Sequence, residues 1–149
     1  MKPRMQQVLI GGFAGTILMT LMMYYIAPLM IGGPMDIAAL LAEVLGTGWL
    51  AGMTIHILLG GLAFPIVFHA LYPTLPGAGW LKGFVFGMIV ALVALVVVMP
   101  IAGAGIFMAN HSQPVLAVVG SLVGHAIYGV VLGWWSAKSV QDEAVQAPA

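Results

Sequence analysis

The chain has 149 residues, 62% of them hydrophobic and 5% charged, with a formal net charge of zero and no cysteine. An ordinary soluble domain carries about a quarter charged residues, so that class is excluded. The lack of a basic surplus removes nucleic acid as a partner. The lack of cysteine removes disulfides, thiolate zinc sites, iron–sulfur clusters and thioether-attached haem.

A hydrocarbon core roughly 30 Å thick asks for about 20 apolar residues per helix. Four such runs can be placed, at 8–30, 49–71, 80–99 and 115–137. The expected fold class is therefore all-α, an integral membrane four-helix bundle forming one transmembrane domain over 1–149. Lys2 and Arg4 precede span one, Lys82 opens span three and Lys138 follows span four. With four spans these fall on one side, and the other side carries Asp36 and Glu43. The positive-inside rule then puts both termini in the cytoplasm, with the protein in the cell inner membrane. Trp49 at one boundary, and Trp80, Trp134 and Trp135 at the other, suit interfacial aromatic belts.

Span one is longer than a signal core and ends without a small-x-small cleavage site, so it is expected to be retained. It opens with Gly11-x-x-x-Gly15, which permits close helix approach in lipid, and carries Pro28 near its far end. Gly32-Gly33-Pro34 breaks it. Residues 34–45 read as a short helix with Pro34 at its first position, lying flat at the outer interface. Asp36 and Glu43, seven apart, are expected on its solvated face. Span two holds His56, Gly60-Gly61, Pro65 and His69, with a kink expected where Pro65 loses its bond to the Gly61 carbonyl. A Pro/Gly turn at 72–77 leads to span three, which begins with Gly83-x-x-x-Gly87 and ends at Pro100. The outer loop, 103–114, holds Asn110 and His111. After span four, a polar tail over 138–149 is expected to fray.

The chain also repeats itself. Gly11, Gly15 and Pro28 match Gly83, Gly87 and Pro100 at an offset of 72, and Gly52, His56 and Gly60 match Ser121, His125 and Gly129 at an offset of 69. Two tandem helical hairpins are expected, repeat one at 8–71 and repeat two at 80–137, related by a pseudo-two-fold axis along the membrane normal.

That symmetry singles out His56 and His125. Both fall in the outer half to middle of the bilayer and would face each other across the axis. Ionisable groups inside a membrane are costly and face the protein interior, and neutral imidazole suits iron, zinc or copper. Gly60 and Gly129, one turn further along each helix, leave space for something flat. One haem b held between His56 and His125, in an electron-transfer role, is the reading carried forward. The arrangement resembles the cytochrome b bundle, although that bundle has two histidines on each ligand helix; here the second pair, His69 and His111, is neither level nor symmetric. The bland alternative is that each histidine hydrogen-bonds across a helix pair, with Thr16, Thr20, Thr54, Ser121 and Tyr128 as partners. A non-catalytic accessory subunit of a larger membrane complex, or a homo-oligomer, is a second class. A small transporter or a copper handler drawing on the 11 methionines is a third. No carboxylate stands to orient either histidine, so no catalytic set is read.

Gly15-Thr16-x-x-Met19-Thr20, Pro34-x-Asp36-Ile37 and His125-x-x-Tyr128-Gly129 carry a resemblance, over nearly the whole chain, to a family of small bacterial four-span membrane proteins of unknown function. The resemblance implies the architecture and an importance for His125, and adds no chemistry.

Overall fold

The computed structural model describes residues 2–146. Four helices are long and apolar enough to cross a membrane: α1 (Met5–Ile31), α3 (Trp49–Leu71), α4 (Trp80–Ile101) and α5, whose spanning part is Pro114–Lys138. A short α2 (Ile37–Leu45) lies between α1 and α3. No strand occurs among the described residues. The all-α class and the four spans are as the sequence implies. α5 runs on to Gln146, through most of the expected tail, because 138–146 contains no Gly or Pro and is rich in tolerable helix formers. Positions 147–149 lie outside the described residues.

Packing places α5 between α1 and α4, and α1 between α3 and α5. Small residues make each seam. A Cβ on Gly11 or Gly15 would meet Leu132 or Tyr128 of α5, and one on Gly12 would meet Pro65 of α3. On the other flank, Gly83 and Gly87 lie against Gly129, Gly133 and the His125 carbonyl. Both Gly-x-x-x-Gly pairs therefore dock onto the last span, where van der Waals contact between closely approaching backbones takes the place of a hydrophobic driving force. α3 and α4 do not pack along their length. They meet near the end that bears the termini, where the Phe68 and Phe86 ring centroids are 5.3 Å apart. A strict two-fold would copy the α1–α5 seam between α3 and α4; there is a slot instead.

The three prolines inside spans act in a common way. Each follows a single wide turn, at Met22–Ile26, Leu59–Ala63 and Ala94–Val98. The first and third turns sit 72 residues apart, as Pro28 and Pro100 do. In the second, Phe64 N–H bonds back five residues to Leu59, and Pro65 has no N–H to give, so the Gly60 carbonyl loses both helical partners. The Tyr128 hydroxyl of α5 donates to it at 2.8 Å. The first turn shows the same logic: Ala27 N–H bonds to Met22, and the Met23 carbonyl is taken by Met35 N–H at 3.2 Å. Pro65 was expected to free Gly61; the extra residue in the turn moves the freed carbonyl to Gly60.

α2 starts later than the sequence suggests. Asp36 caps it, accepting from Ala39 N–H at 2.9 Å, so Pro34 lies before the helix; Gly46, at φ +62°, ends it. It crosses α3 at Gly52, whose Cα faces the Ala38 carbonyl. Glu43 is exposed, as expected, but Asp36 is half-buried and corrects the solvated reading. It also accepts from Tyr24 Oη at 2.5 Å and from Trp49 Nε1 at 3.0 Å, tying α1, α2 and α3 together. Burial pushes its pKa up, and the hydrogen bonds from Tyr24, the Ala39 N–H and Trp49 outweigh this, leaving the carboxyl below its ordinary value. That contribution is present above the unfolded pKa of about 4 and is lost as pH falls through the lower folded value. Asp36→Ala should cost about 1–2 kcal/mol, whereas Glu43→Gln should stay within about 0.5 kcal/mol. Chemical denaturation in mixed micelles measures both, and equal effects would show that Asp36 holds nothing together.

Candidate functional site

A cavity of about 470 Å³ lies inside the curve of the four spans, under α2. α1 contributes Met19 and Met23, α5 contributes Ser121 and Tyr128, and the slot side is formed by Val67 and Leu71 of α3 with Ile89 and Val93 of α4. These last four are 42–50% exposed, so the cavity reaches the surface through the slot, along apolar residues. At the α2 end the wall includes Asp36, exposed His111 and Met108. Met108 and Phe107 take left-handed backbone angles, φ +55° and +50°. Such angles are strained for residues with a Cβ, and here they accompany burial of the Met108 side chain against Leu95, Met99 and Ala117.

His56 and His125 both line this cavity. His125 Nδ1 lies 2.8 Å from the Ser121 carbonyl. A carbonyl only accepts, so Nδ1 carries the proton and Nε2 presents a lone pair. His56 Nε2 lies 3.0 Å from Thr20 Oγ1, and that hydroxyl donates its own proton to the Thr16 carbonyl at 2.7 Å. In that arrangement the ring nitrogen is the donor, and His56 Nδ1 holds the lone pair. Among the described residues no fully buried side-chain nitrogen or oxygen lacks a partner, so both unpaired ring nitrogens retain accessible surface. His56 is only 8% exposed and is among the residues that line the cavity. Two neutral imidazoles, each locked at one nitrogen, offer the other as an acceptor within an apolar chamber.

The sequence-expected partners divide. Thr20 bonds across helices to His56 as the bland alternative has it, while His125 turns to its own helix. Thr16 closes on the Gly12 carbonyl at 2.8 Å, Thr54 on Leu50, and Tyr128 on Gly60. His69 Nε2 donates to the Pro3 carbonyl at 3.1 Å, near the end that bears the termini and away from the pair. Among the described residues no group of three His, Asp or Glu is placed to hold a metal.

The two glycines do not leave the room expected of them for a haem. Gly129, expected to make room for a ring, has its Cα against the backbone of Gly83 and Gly87. Gly60 edges the cavity, but a Cβ there would run into Thr16. His56 has also committed Nε2 to Thr20. Both glycines serve helix contact, and the space beside the histidines is formed elsewhere, by the gap between α3 and α4. Sequence reasoning missed Met19, Met23 and the slot as parts of the site, because their signal is an absent helix pairing.

Comparison with curated proteins and with solved structures finds no match to this chain. The model of a family of unknown function, DUF6789, matches residues 4–145, and the chain belongs to that family.

Proposed function

We propose that the protein holds a small lipophilic molecule in this cavity, taken from the bilayer through the α3–α4 slot and oriented by His56 and His125. The observation that carries the reading is His56: a nearly buried residue that lines an apolar chamber and has one ring nitrogen, Nδ1, with no hydrogen-bond partner. Pockets of roughly 300–1,000 Å³ with apolar walls and a few placed polar groups are the usual form of small-molecule sites. An uncompensated polar nitrogen in hydrocarbon is unfavourable, so a ligand donor at this point is stabilising. We further propose that the termini are cytoplasmic, on the strength of the Lys and Arg distribution.

A lipophilic diazirine photolabel tests the reading. Label should appear on Met19 and Met23, which are 6% and 5% exposed and line the cavity. Ala94 also lines the cavity, so Ala94→Phe, which puts a ring there, should abolish that labelling while leaving the exposed Leu29 and Leu50 labelled. Labelling confined to outward residues such as these would rule the site out.

A soft-metal reading is favoured by one observation: Met19, Met23, Met35, Met99 and Met108 all line the cavity with the histidines. Thioether and imidazole suit Cu(I), although methionine is also the ordinary filler of irregular apolar space.

A further inference from the structure

We propose that the molecule this cavity selects is an aromatic diol of the hydroquinone class, bound in preference to its quinone. This rests on the lipophilic-ligand reading above and adds to it the chemistry of the ligand. We take both imidazoles as acceptors: the Ser121 carbonyl fixes the proton of His125 on Nδ1, and a Thr20 hydroxyl that donates to the Thr16 carbonyl accepts the proton of His56 from Nε2. The other hydroxyls near them are spent on main-chain carbonyls: Thr16 on Gly12, Thr20 on Thr16 and Tyr128 on Gly60. Ser121 Oγ can turn its proton either way and so does not discriminate. A hydroquinone brings two O–H donors to two lone pairs. A quinone brings only acceptors, and would leave four acceptor atoms without a donor in a low-dielectric space.

The walls suit a ring. Met19, Met23 and Met99 bring thioethers into the cavity, and sulfur packs favourably at aromatic edges. The slot lets a molecule with an apolar tail enter sideways and leave the tail in lipid, past Val67 and Val93, which are 46% and 50% exposed. No electron acceptor is invoked: the inference concerns binding, and the site distinguishes two oxidation states by the direction of their hydrogen bonds.

The probes are decylubiquinol, kept reduced, and decylubiquinone, which share a tail, titrated into the detergent-purified protein by calorimetry. The quinol should bind roughly tenfold or more tightly than the quinone, as sites built to accept a hydroxyl proton reject analogues lacking it. His125→Phe should remove the preference. Thr20→Val offers a milder test that leaves the imidazole in place: it removes the oxygen that holds the His56 proton on Nε2, so Nδ1 can carry it and donate. The quinol preference should shrink and quinone affinity should rise, which a merely structural role for Thr20 does not foresee. Equal affinities for the two probes in the wild type, both lost in Ala94→Phe, would overturn the preference and leave the cavity reading standing. No binding of either probe, with the photolabel still on Met19 and Met23, would overturn the diol while the cavity stands; no binding and no inner labelling would remove both. Stoichiometric Ag(I) binding that depends on His56 and His125, without quinol binding, would replace this inference with the soft-metal site.

Discussion

Tyr128→Phe is expected to lower stability by about 1–3 kcal/mol, the cost of leaving a buried carbonyl without a donor. The substitution removes one oxygen and keeps the ring, which is 2% exposed and packed in the main core with Phe86 and Leu132. The effect therefore isolates the bond to Gly60. In a span the loss is not made good by water, since backbone groups in hydrocarbon must be satisfied internally. The origin of the orphaned carbonyl supplies a control. Pro65→Ala returns an N–H at the position that the wide turn pairs with Gly60, at the expense of the contact between Pro65 and Gly12. The double variant should therefore lose less than the sum of the two single losses, a coupling that a cycle of denaturation measurements reads directly. Strict additivity would mean that the restored N–H does not reach the Gly60 carbonyl, and a Tyr128→Phe effect below about 0.5 kcal/mol would mean that the carbonyl finds another donor.

The second large effect is expected at the glycines once read as room for a cofactor. Gly129→Ala places a methyl 2.9 Å from the carbonyl carbon of Gly83 and 3.1 Å from the Cα of Gly87. Backbone cannot rotate away, so α4 and α5 must separate, with a loss of about 1–3 kcal/mol typical of overpacking. Gly60→Ala first meets the side chain of Thr16, at 3.1–3.2 Å from its carbons and closer to its hydroxyl. The two sites should then respond differently to relief. Thr16→Ala should recover most of the loss at Gly60 and none of that at Gly129. Thermal unfolding in detergent measures all four variants, and a Gly129→Ala protein as stable as wild type would show that the α4–α5 seam is looser than described.

Composition and spacing alone establish the four spans, the short helix between the first two, the Gly-x-x-x-Gly faces and the histidine pair that stands apart from the other ionisable residues. These are local or strictly periodic properties. Span length follows from bilayer thickness, and small residues four apart mark a face wherever that face points. What such a face touches is another matter. In lipid an apolar surface is equally content against tails or protein, so hydropathy carries no record of which helix lies beside which. Gly60 and Gly129 look alike in the sequence, yet one stops at a threonine side chain and the other at a glycine backbone. Asp36 reads as a solvated carboxylate because its partners, Tyr24 and Trp49, lie in two different helices and meet only after α1, α2 and α3 have packed. The tautomers of His56 and His125 likewise follow from bonds that Thr20 and the Ser121 carbonyl make in the folded chain. The cavity is the furthest from the sequence, since it exists where α3 and α4 fail to meet, and a missing contact has no residue pattern of its own.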